Sequence, residues 1–127
     1  MTEQIYLDRL ETLARFFDDL FTHVDPNQYE FDMQFYHSQR KTNGCKTHCC
    51  ILGFAGLIPE FQTEGLITGP GNNSVTFEEY CETIAGRMFF GLNYEEGEYL
   101  FHDYYIKLED VPNKIRTLIE KKKGSAS

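Results

Sequence analysis

The organising segment of this chain is Gly44-Cys45-Lys46-Thr47-His48-Cys49-Cys50-Ile51-Leu52-Gly53-Phe54-Ala55-Gly56. It holds three of the four cysteines, one histidine and three glycines in a short, largely apolar stretch. Thr47 is placed to cap a helix, because a Thr hydroxyl accepts a backbone N–H two or three residues further along. The residues that follow have almost no polar face. We therefore predict a short helix that is buried on nearly all sides and is closed by Pro59.

Two glycines inside this predicted helix need a compensating reason. Gly53 and Gly56 would each weaken a helix by about 1 kcal/mol relative to Ala. A glycine permits the close approach of another helix or of backbone, which any side chain would block. We therefore expect a neighbouring segment to pack directly onto Gly53 and Gly56.

Upstream, residues 3–21 predict an amphipathic helix, because apolar residues recur there every three or four positions. Its N-cap is Thr2, and Asp25-Pro26-Asn27 ends it. Residues 29–36 alternate between apolar and polar, which predicts a short strand or an extended segment. Residues 37–44 predict an exposed polar loop. The inward positions of the first helix are Tyr6, Leu10, Leu13, Ala14, Phe17, Leu20 and Phe21.

Downstream, residues 60–74 are rich in Gly and Asn and predict a loop. Thr76 and Glu79 have the spacing of a capping box, so a helix is predicted to begin there. Gly91 is expected to end that helix in the left-handed conformation. The predicted inward stripe of this helix is Phe77, Tyr80, Cys81, Ile84, Ala85 and Met88.

Two more helices complete the prediction. Asn93 is expected to cap a short helix, and Asp110 a last one with Pro112 in its first turn. We predict a mainly α fold with about five helices around the short buried glycine-containing helix, and with room for one small two-stranded element. The length of 127 residues suits one domain, which we place at residues 1–123. Residues 124–127 have the composition of a flexible tail or a cloning scar.

The charge balance narrows the classes of partner. The chain has a formal net charge of −8, and residues 1–120 carry nine basic against twenty acidic residues. Such a surface repels phosphates, so nucleic-acid binding is not expected, whereas a basic partner would suit it. No segment has the length of a membrane span, and the charged amino-terminal residues do not resemble a signal peptide. We therefore expect a cytoplasmic protein with no membrane partner.

Four separate motifs carry a resemblance to a known family. The chain resembles a family of small, largely uncharacterised proteins of phages, prophages and bacteria. The family pattern is Phe-Asp-Met, then Cys-Gly-Thr-x-x-Cys-Ile/Leu-x-Gly-x-Ala, then Gly-Leu, then Leu-Phe. The matching residues are Phe31-Asp32-Met33, Cys45 to Ala55, Gly91-Leu92 and Leu100-Phe101, with Lys46 standing where the pattern has Gly. The resemblance implies a phage or bacterial origin and assigns no reaction.

The cysteines and histidines allow several interpretations. Cys45, His48 and Cys49, with His37, could form a zinc site, although the usual paired Cys-x-x-Cys spacing is absent. Cys45 or Cys49 could act as a nucleophile with one of these histidines. Buried packing is the expected role of Cys50 and Cys81, because free cysteine is among the most buried residue types. His23 and His102 are isolated in the sequence and are expected to be exposed or capping residues.

These observations favour a non-enzymatic, acidic binding protein that docks onto a host or phage protein, including as an inhibitor of a host enzyme or defence system. We expect no cofactor and no catalytic residue. The predicted binding residues are Arg40 and Lys41 in the polar loop and Tyr104 and Tyr105 in the aromatic region. One alternative is a protein that binds a small anionic ligand such as a nucleotide through Arg40 and Lys41. A second alternative is an interaction module stabilised by zinc.

Overall fold

The computed structural model describes residues 3–33, 38–39, 47–68 and 75–125. Seven α-helices lie in these ranges, so the mainly α prediction is confirmed and the count of five helices is wrong. A 3₁₀ turn at Leu108–Asp110 precedes the last helix. The helices are α1 (Glu3–Asp18), α2 (Leu20–His23), α3 (Ile51–Ala55), α4 (Pro59–Thr63), α5 (Glu82–Phe90), α6 (Tyr94–Phe101) and α7 (Val111–Ser125).

Short strands form two small sheets, where the sequence allowed for a single two-stranded element. The strands are β1 (Tyr29–Phe31), β2 (Ser38–Gln39), β3 (Thr47–Cys49), β4 (Ile67–Thr68), β5 (Val75–Phe77) and β6 (Tyr80–Cys81). In the first sheet β3 lies in the centre, parallel to β1 and antiparallel to β2. The second sheet is antiparallel throughout, in the order β4-β5-β6.

The first predicted helix is divided in two. Asp19 has non-helical backbone angles (φ −136°, ψ 53°), so α1 ends at Asp18 and α2 starts at Leu20. This break changes the direction of the chain and leaves Phe21 exposed, although the periodicity placed it inside. Arg9 is buried, which the sequence pattern did not indicate. Its guanidinium donates a hydrogen bond to the Phe89 carbonyl oxygen at 2.7 Å.

The organising segment begins as a strand. Thr47 lies in β3, where it pairs with Tyr29, so the prediction that Thr47 caps a helix is wrong. The cap of α3 is instead Cys50, whose Sγ accepts a hydrogen bond from the Gly53 N–H at 3.4 Å. All five residues of α3 are buried, as predicted. Pro59 occupies the first turn of α4, where its missing N–H costs nothing, and it therefore starts a helix as well as following one.

Gly56 shows why the organising segment needs a glycine. A Cβ atom at Gly56 would lie 1.9 Å from Thr68 Oγ1 and 2.6 Å from the Thr68 backbone nitrogen. Thr68 in turn donates its hydroxyl hydrogen bond to the Gly53 carbonyl oxygen at 2.8 Å. The predicted close approach is therefore confirmed at Gly56, and the approaching segment is β4.

The α5 region differs from its prediction by several residues. Thr76 and Glu79 belong to the β5–β6 hairpin, so they form no capping box, and α5 begins only at Glu82 after Cys81. Two residues here have positive φ: Glu78, in the turn of the hairpin, and Glu82, the first residue of α5. The buried residues of α5 are Ala85, Gly86, Phe89 and Phe90, whereas Cys81, Ile84 and Met88 are exposed. Residues 60–74, predicted as a loop, contain α4 and β4.

The carboxyl-terminal part agrees more closely with the sequence. Gly91 ends α5 in the left-handed conformation (φ 66°, ψ 41°). Asn93 and Glu96 form a complete capping box at the start of α6. Pro112 lies in the first turn of α7, which continues to Ser125 and thus includes two residues of the predicted tail. No helix in the described ranges has the length and apolar character needed to cross a membrane.

One hydrophobic cluster joins these elements, with α1 packed along α7 and α3 near its centre. Phenylalanines supply much of it through edge-to-face contacts, for example between Phe17 and Phe54 and between Phe61 and Phe89. The cluster leaves one side of α5 and α6 facing outward.

The contact at Gly56 gives the first prediction. Gly56 has ordinary helical angles (φ −70°, ψ −4°), so an alanine there suffers no backbone strain and only the steric clash with Thr68 remains. We expect Gly56→Ala to lower the free energy of unfolding by about 1 to 3 kcal/mol in urea denaturation. The control is Gly124→Ala, since a Cβ there meets no atom within 4 Å. Equal stability of Gly56→Ala and the wild type would contradict the packing described.

Candidate functional site

The structure describes only some of the predicted site residues. His37, Arg40, Lys41 and Cys45 lie outside the described residues, and His48 lies in β3. Cys49 is buried at the end of β3. Tyr104 and Tyr105 lie in the turn after α6 and are both exposed.

The described cysteines are poor candidates for metal or nucleophilic chemistry. Burial raises the pKa of Cys50 to about 11, although the Gly53 N–H partly opposes this, and burial raises the pKa of Cys49 further. Both are therefore neutral thiols near neutral pH, whereas a nucleophile or zinc ligand is a thiolate. Within the described ranges, no group of three or more His, Cys, Asp or Glu side chains could hold a metal ion. The prediction of buried packing is confirmed for Cys50 and is wrong for Cys81, which is exposed.

The aromatic region separates by residue type. Phe89, Phe90 and Phe101 are buried in the core. The tyrosines of the same region point outward: Tyr94 is 65% exposed, Tyr104 56% and Tyr105 95%, with Tyr99 also exposed. A tyrosine ring exposed to this degree forgoes most of its hydrophobic stabilisation. The structure thus assigns the phenylalanines to the core and the tyrosines to the surface.

Arg87 connects α5 to these tyrosines. Gly97 of α6 lets the Arg87 stem cross closely, because a Cβ at Gly97 would lie 2.7 Å from Arg87 Cγ. The guanidinium carbon then lies 5.7 Å from the centroid of the Tyr94 ring. Arg87 makes no ion pair with any residue that the structure describes, and its Nε is buried without a hydrogen-bond partner. It is thus a cation that remains available at this surface.

A chain of hydrogen bonds runs from α5 to the end of α6. Thr83 Oγ1 lies 3.0 Å from His102 Nε2, and His102 Nδ1 is hydrogen-bonded to Glu98 Oε2. The Tyr94 hydroxyl also interacts with Glu98, so this carboxylate has two partners. These bonds, from His102 first and Tyr94 second, hold the pKa of Glu98 below its usual value, and Glu98 in turn raises the pKa of Tyr94. The Tyr104 ring stacks on His102, with 6.1 Å between centroids.

The order of hydroxyl, imidazole and carboxylate in this chain also occurs in hydrolase triads. A catalytic triad further requires a substrate cleft and donors for the developing oxyanion. The grooves described on this protein are lined by other residues, and Glu98 is shared with Tyr94. We therefore interpret the chain as a structural link that fixes the orientation of the surface tyrosines.

Neighbouring exposed side chains extend this surface. Thr83 and Arg87 lie one residue from Ile84 and Met88 on α5, and a step of one residue turns a helix by about 100°. Ile84 and Met88 are both exposed on α5, about 100° around the helix from Thr83 and Arg87. We name this surface the tyrosine face. Its residues are Thr83, Ile84, Arg87, Met88, Tyr94, Glu98, His102, Tyr104 and Tyr105.

Negative charge is dense in the segment that carries the tyrosine face. Residues 78–110 contain nine carboxylates and two cations, Arg87 and Lys107, so their net charge is −7 of the total of −8. Within the described part of the chain, six of these carboxylates make no ion pair. They are Glu78, Glu79, Glu82, Glu95, Glu109 and Asp110.

The largest described groove lies elsewhere, between the α1–α2 junction and the start of α7. Its volume is about 910 Å³. Arg116 lines it but already forms a two-pronged ion pair with Asp18, at 2.8 and 2.6 Å, and this pair lowers the pKa of Asp18. Lys107 also lines this groove, but so do the carboxylates of Asp19 and Glu109, so its charge gives little support to the binding of an anionic ligand.

The sequence pattern indicated Tyr104 and Tyr105 but missed the rest of the tyrosine face. His102 was expected to be an exposed or capping residue; it is the C-cap residue of α6, and its side chain in addition has hydrogen bonds to both Thr83 and Glu98. The spacing of four residues from Tyr94 to Glu98 and from Glu98 to His102 was the available signal, because residues four apart adjoin on a helix.

Comparisons with known proteins add no assignment. No family model, no curated protein and no solved structure matches this chain. The functional argument therefore depends on the geometry and charge of the tyrosine face.

Burial of the two vicinal cysteines predicts their reactivity. In the variant Cys45→Ser/Cys81→Ser, only Cys49 and Cys50 remain. We expect a thiol reagent to modify neither of them in the native protein at neutral pH, and both after denaturation, because each is a buried neutral thiol. The single variant Cys45→Ser serves as the control, since exposed Cys81 should react in the native state. Rapid native labelling of the double variant would contradict this description.

The lowered pKa of Glu98 predicts a pH-dependent stability. A carboxyl whose pKa is lowered by folding stabilises the protein above its ordinary value of 4.5, and this contribution is lost as the pH falls through the lowered pKa. We expect Glu98→Gln to reduce the melting temperature at neutral pH and to differ less from the wild type in acid. Tyr94→Phe, which removes one hydrogen bond and keeps the carboxylate, should have a smaller effect. A difference between Glu98→Gln and wild type that stays constant with pH would contradict this role.

Proposed function

We propose that this protein is a non-enzymatic docking protein that binds a protein partner through the tyrosine face. The observation that carries the proposal is the outward position of Tyr94, Tyr104 and Tyr105, together with exposed Ile84 and Met88 on α5. Scattered single apolar residues are normal on protein surfaces, whereas a contiguous group marks an interaction site. Tyrosine is also among the residues that contribute most to binding at interfaces.

The rigidity of the tyrosine face supports the same function. Tyr94 is held by Glu98 and lies near Arg87, and Tyr104 stacks on His102. Side chains that are ordered before binding lose less conformational entropy on association. A surface of this kind suits docking better than it suits catalysis, for which a cleft would be needed.

The biological setting is part of the proposal. The resemblance to small phage, prophage and bacterial proteins supports a phage or prophage origin, and an action in the host cytoplasm follows from that origin. Inhibition of a host enzyme or defence system is one form that such docking would take. This last step is an analogy with small acidic phage proteins as a class.

The proposal predicts a partner whose binding depends on the tyrosine face. The immobilised wild-type protein should capture a reproducible partner from bacterial lysate, and Tyr104→Ser/Tyr105→Ser should weaken this complex. A loss of about 2 kcal/mol, or roughly thirtyfold in Kd, is expected where interface tyrosines are hot spots. The measurement is a titration of the purified partner against both proteins.

A matched control separates docking from general adhesion. Phe21→Ser removes an exposed aromatic side chain at α2, which is not part of the tyrosine face, and should leave the affinity unchanged. Circular dichroism melting should show that both variants are folded. Absence of any reproducible partner, or equal loss of affinity in both variants, would overturn the proposal.

A further inference from the structure

We propose that the partner presents a basic protein surface, whose arginine and lysine side chains bind the carboxylates and rings of the tyrosine face. This inference rests on the docking function proposed above and names the chemistry of its partner. It is argued from three observations: the unpaired carboxylates, the open tyrosine rings and the repulsion of other occupants.

The first observation is the imbalance between paired and unpaired charges. Outside residues 78–110 the described acids are of both kinds: Asp18 is paired with Arg116 at 2.6 Å and Glu64 with Arg9 at 3.3 Å, whereas others, such as Asp19 and Glu60, make no ion pair with a described residue. Within residues 78–110, Glu96 and Asp103 are paired with lysines of α7. The six unpaired carboxylates of this segment have only two unpaired cations, Arg87 and Lys107, to offset them. A basic partner would neutralise this excess.

These carboxylates lie in and next to the elements that carry the tyrosine face, although Glu95 lines a groove with Tyr99 and Lys121 on the α7 side of α6. Glu82 begins α5 and directly precedes Thr83, while Glu95 follows Tyr94 in the first turn of α6. Glu78 and Glu79 form the tight turn of the hairpin that leads into α5. A group of acidic residues alone would be ordinary solvation, but here it borders exposed aromatic and apolar side chains.

The second observation is that tyrosine rings in this region already accept cations from the chain itself. Lys114 Nζ lies 3.8 Å from the centroid of Tyr99, and Arg87 lies near Tyr94. Tyr104 and Tyr105 have no such cation among the described residues. An arginine of a partner could stack on these open rings while it pairs with a carboxylate, which combines cation–π attraction with charge pairing.

The third observation concerns the other possible occupants. Nucleic acid and anionic membranes are repelled by a segment of net charge −7. A second copy of this chain, docked symmetrically on the same surface, would bring −7 against −7. Like charges brought together at an interface cost several kcal/mol, so self-association through this face is disfavoured. A basic protein surface is the occupant that the charge favours.

The test uses defined peptides, so that it does not depend on finding the natural partner. Dye-labelled deca-arginine, deca-lysine and deca-glutamate peptides are titrated with the full chain, and fluorescence anisotropy is recorded at low and at physiological ionic strength. We expect binding of deca-arginine, weaker binding of deca-lysine because lysine stacks less well on tyrosine, and none of deca-glutamate. Affinity should fall as salt rises.

Two charge-matched variants distinguish a site from general attraction to an acidic protein. Glu79→Gln/Glu82→Gln/Glu95→Gln removes three carboxylates from the segment that carries the tyrosine face, and Asp19→Asn/Glu60→Gln/Glu120→Gln removes three exposed carboxylates elsewhere. Both variants have the same net charge. We expect the first to weaken deca-arginine binding about tenfold and the second by less than about threefold. Equal weakening by both variants would overturn the inference.

A second measurement assigns the site directly. Amide chemical-shift changes on addition of deca-arginine should concentrate in α5, α6 and the turn after α6, and Tyr104→Ser/Tyr105→Ser should reduce the affinity. Changes spread over the whole surface would overturn the inference. If a captured partner binds through the tyrosine face but is insensitive to salt and to the first charge variant, the docking function stands and the basic partner is excluded. If deca-arginine binds as expected and no partner is ever captured, the docking function fails while the chemistry of the face stands.

Discussion

The close contact between β4 and α3 is the constraint on which the rest of the structure depends. All of α3 is buried, so its few polar groups must be satisfied within the protein. Thr68 does this by donating to the Gly53 carbonyl oxygen while its backbone touches Gly56, where no side chain fits. Cys50 provides the cap at the other end. A helix enclosed in this way forces its neighbours, among them α5 and α6, to lie around it.

The position of the tyrosine face follows from that arrangement. Gly86 of α5 has Leu52 of α3 and Phe101 of α6 so close that a Cβ would lie 2.8 Å from each. These contacts turn the Gly86 side of α5 inward, and Ile84 and Met88 consequently face outward. The hydrogen-bonded chain through His102 then fixes the outer surface of α6 beside them. The same packing that builds the core thus leaves tyrosines of α6 and the following turn, and apolar side chains of α5, exposed.

The agreement between sequence and structure is best where local chemistry acts alone. The cap at Asn93 and the left-handed Gly91 were predicted correctly, because each depends on residues within one helical turn. Thr47 and Thr76 also have suitable capping chemistry, but both lie in strands. Thr47 pairs with β1, and Thr76 pairs with β4 and β6. Local signals for a helix were overridden there by partners distant in the sequence. Because α5 starts later than predicted, the inward stripe predicted for it was wrong at Ile84 and Met88, which face outward.

Composition and order along the chain were enough to indicate a mainly α fold, an acidic surface and a buried glycine-containing helix, because these depend on residue type and short-range spacing. They were also enough to single out Tyr104 and Tyr105 as surface candidates. Tertiary packing alone decided that Arg87, His102 and Glu98 meet Tyr94 on one surface, since α5 and α6 must first be packed together. It also decided that the Cys-His-Cys-Cys density of the organising segment ends in a strand and a helix cap with buried, neutral Cys49 and Cys50. Burial and strand pairing are properties of the folded chain, and no short window of sequence contains them.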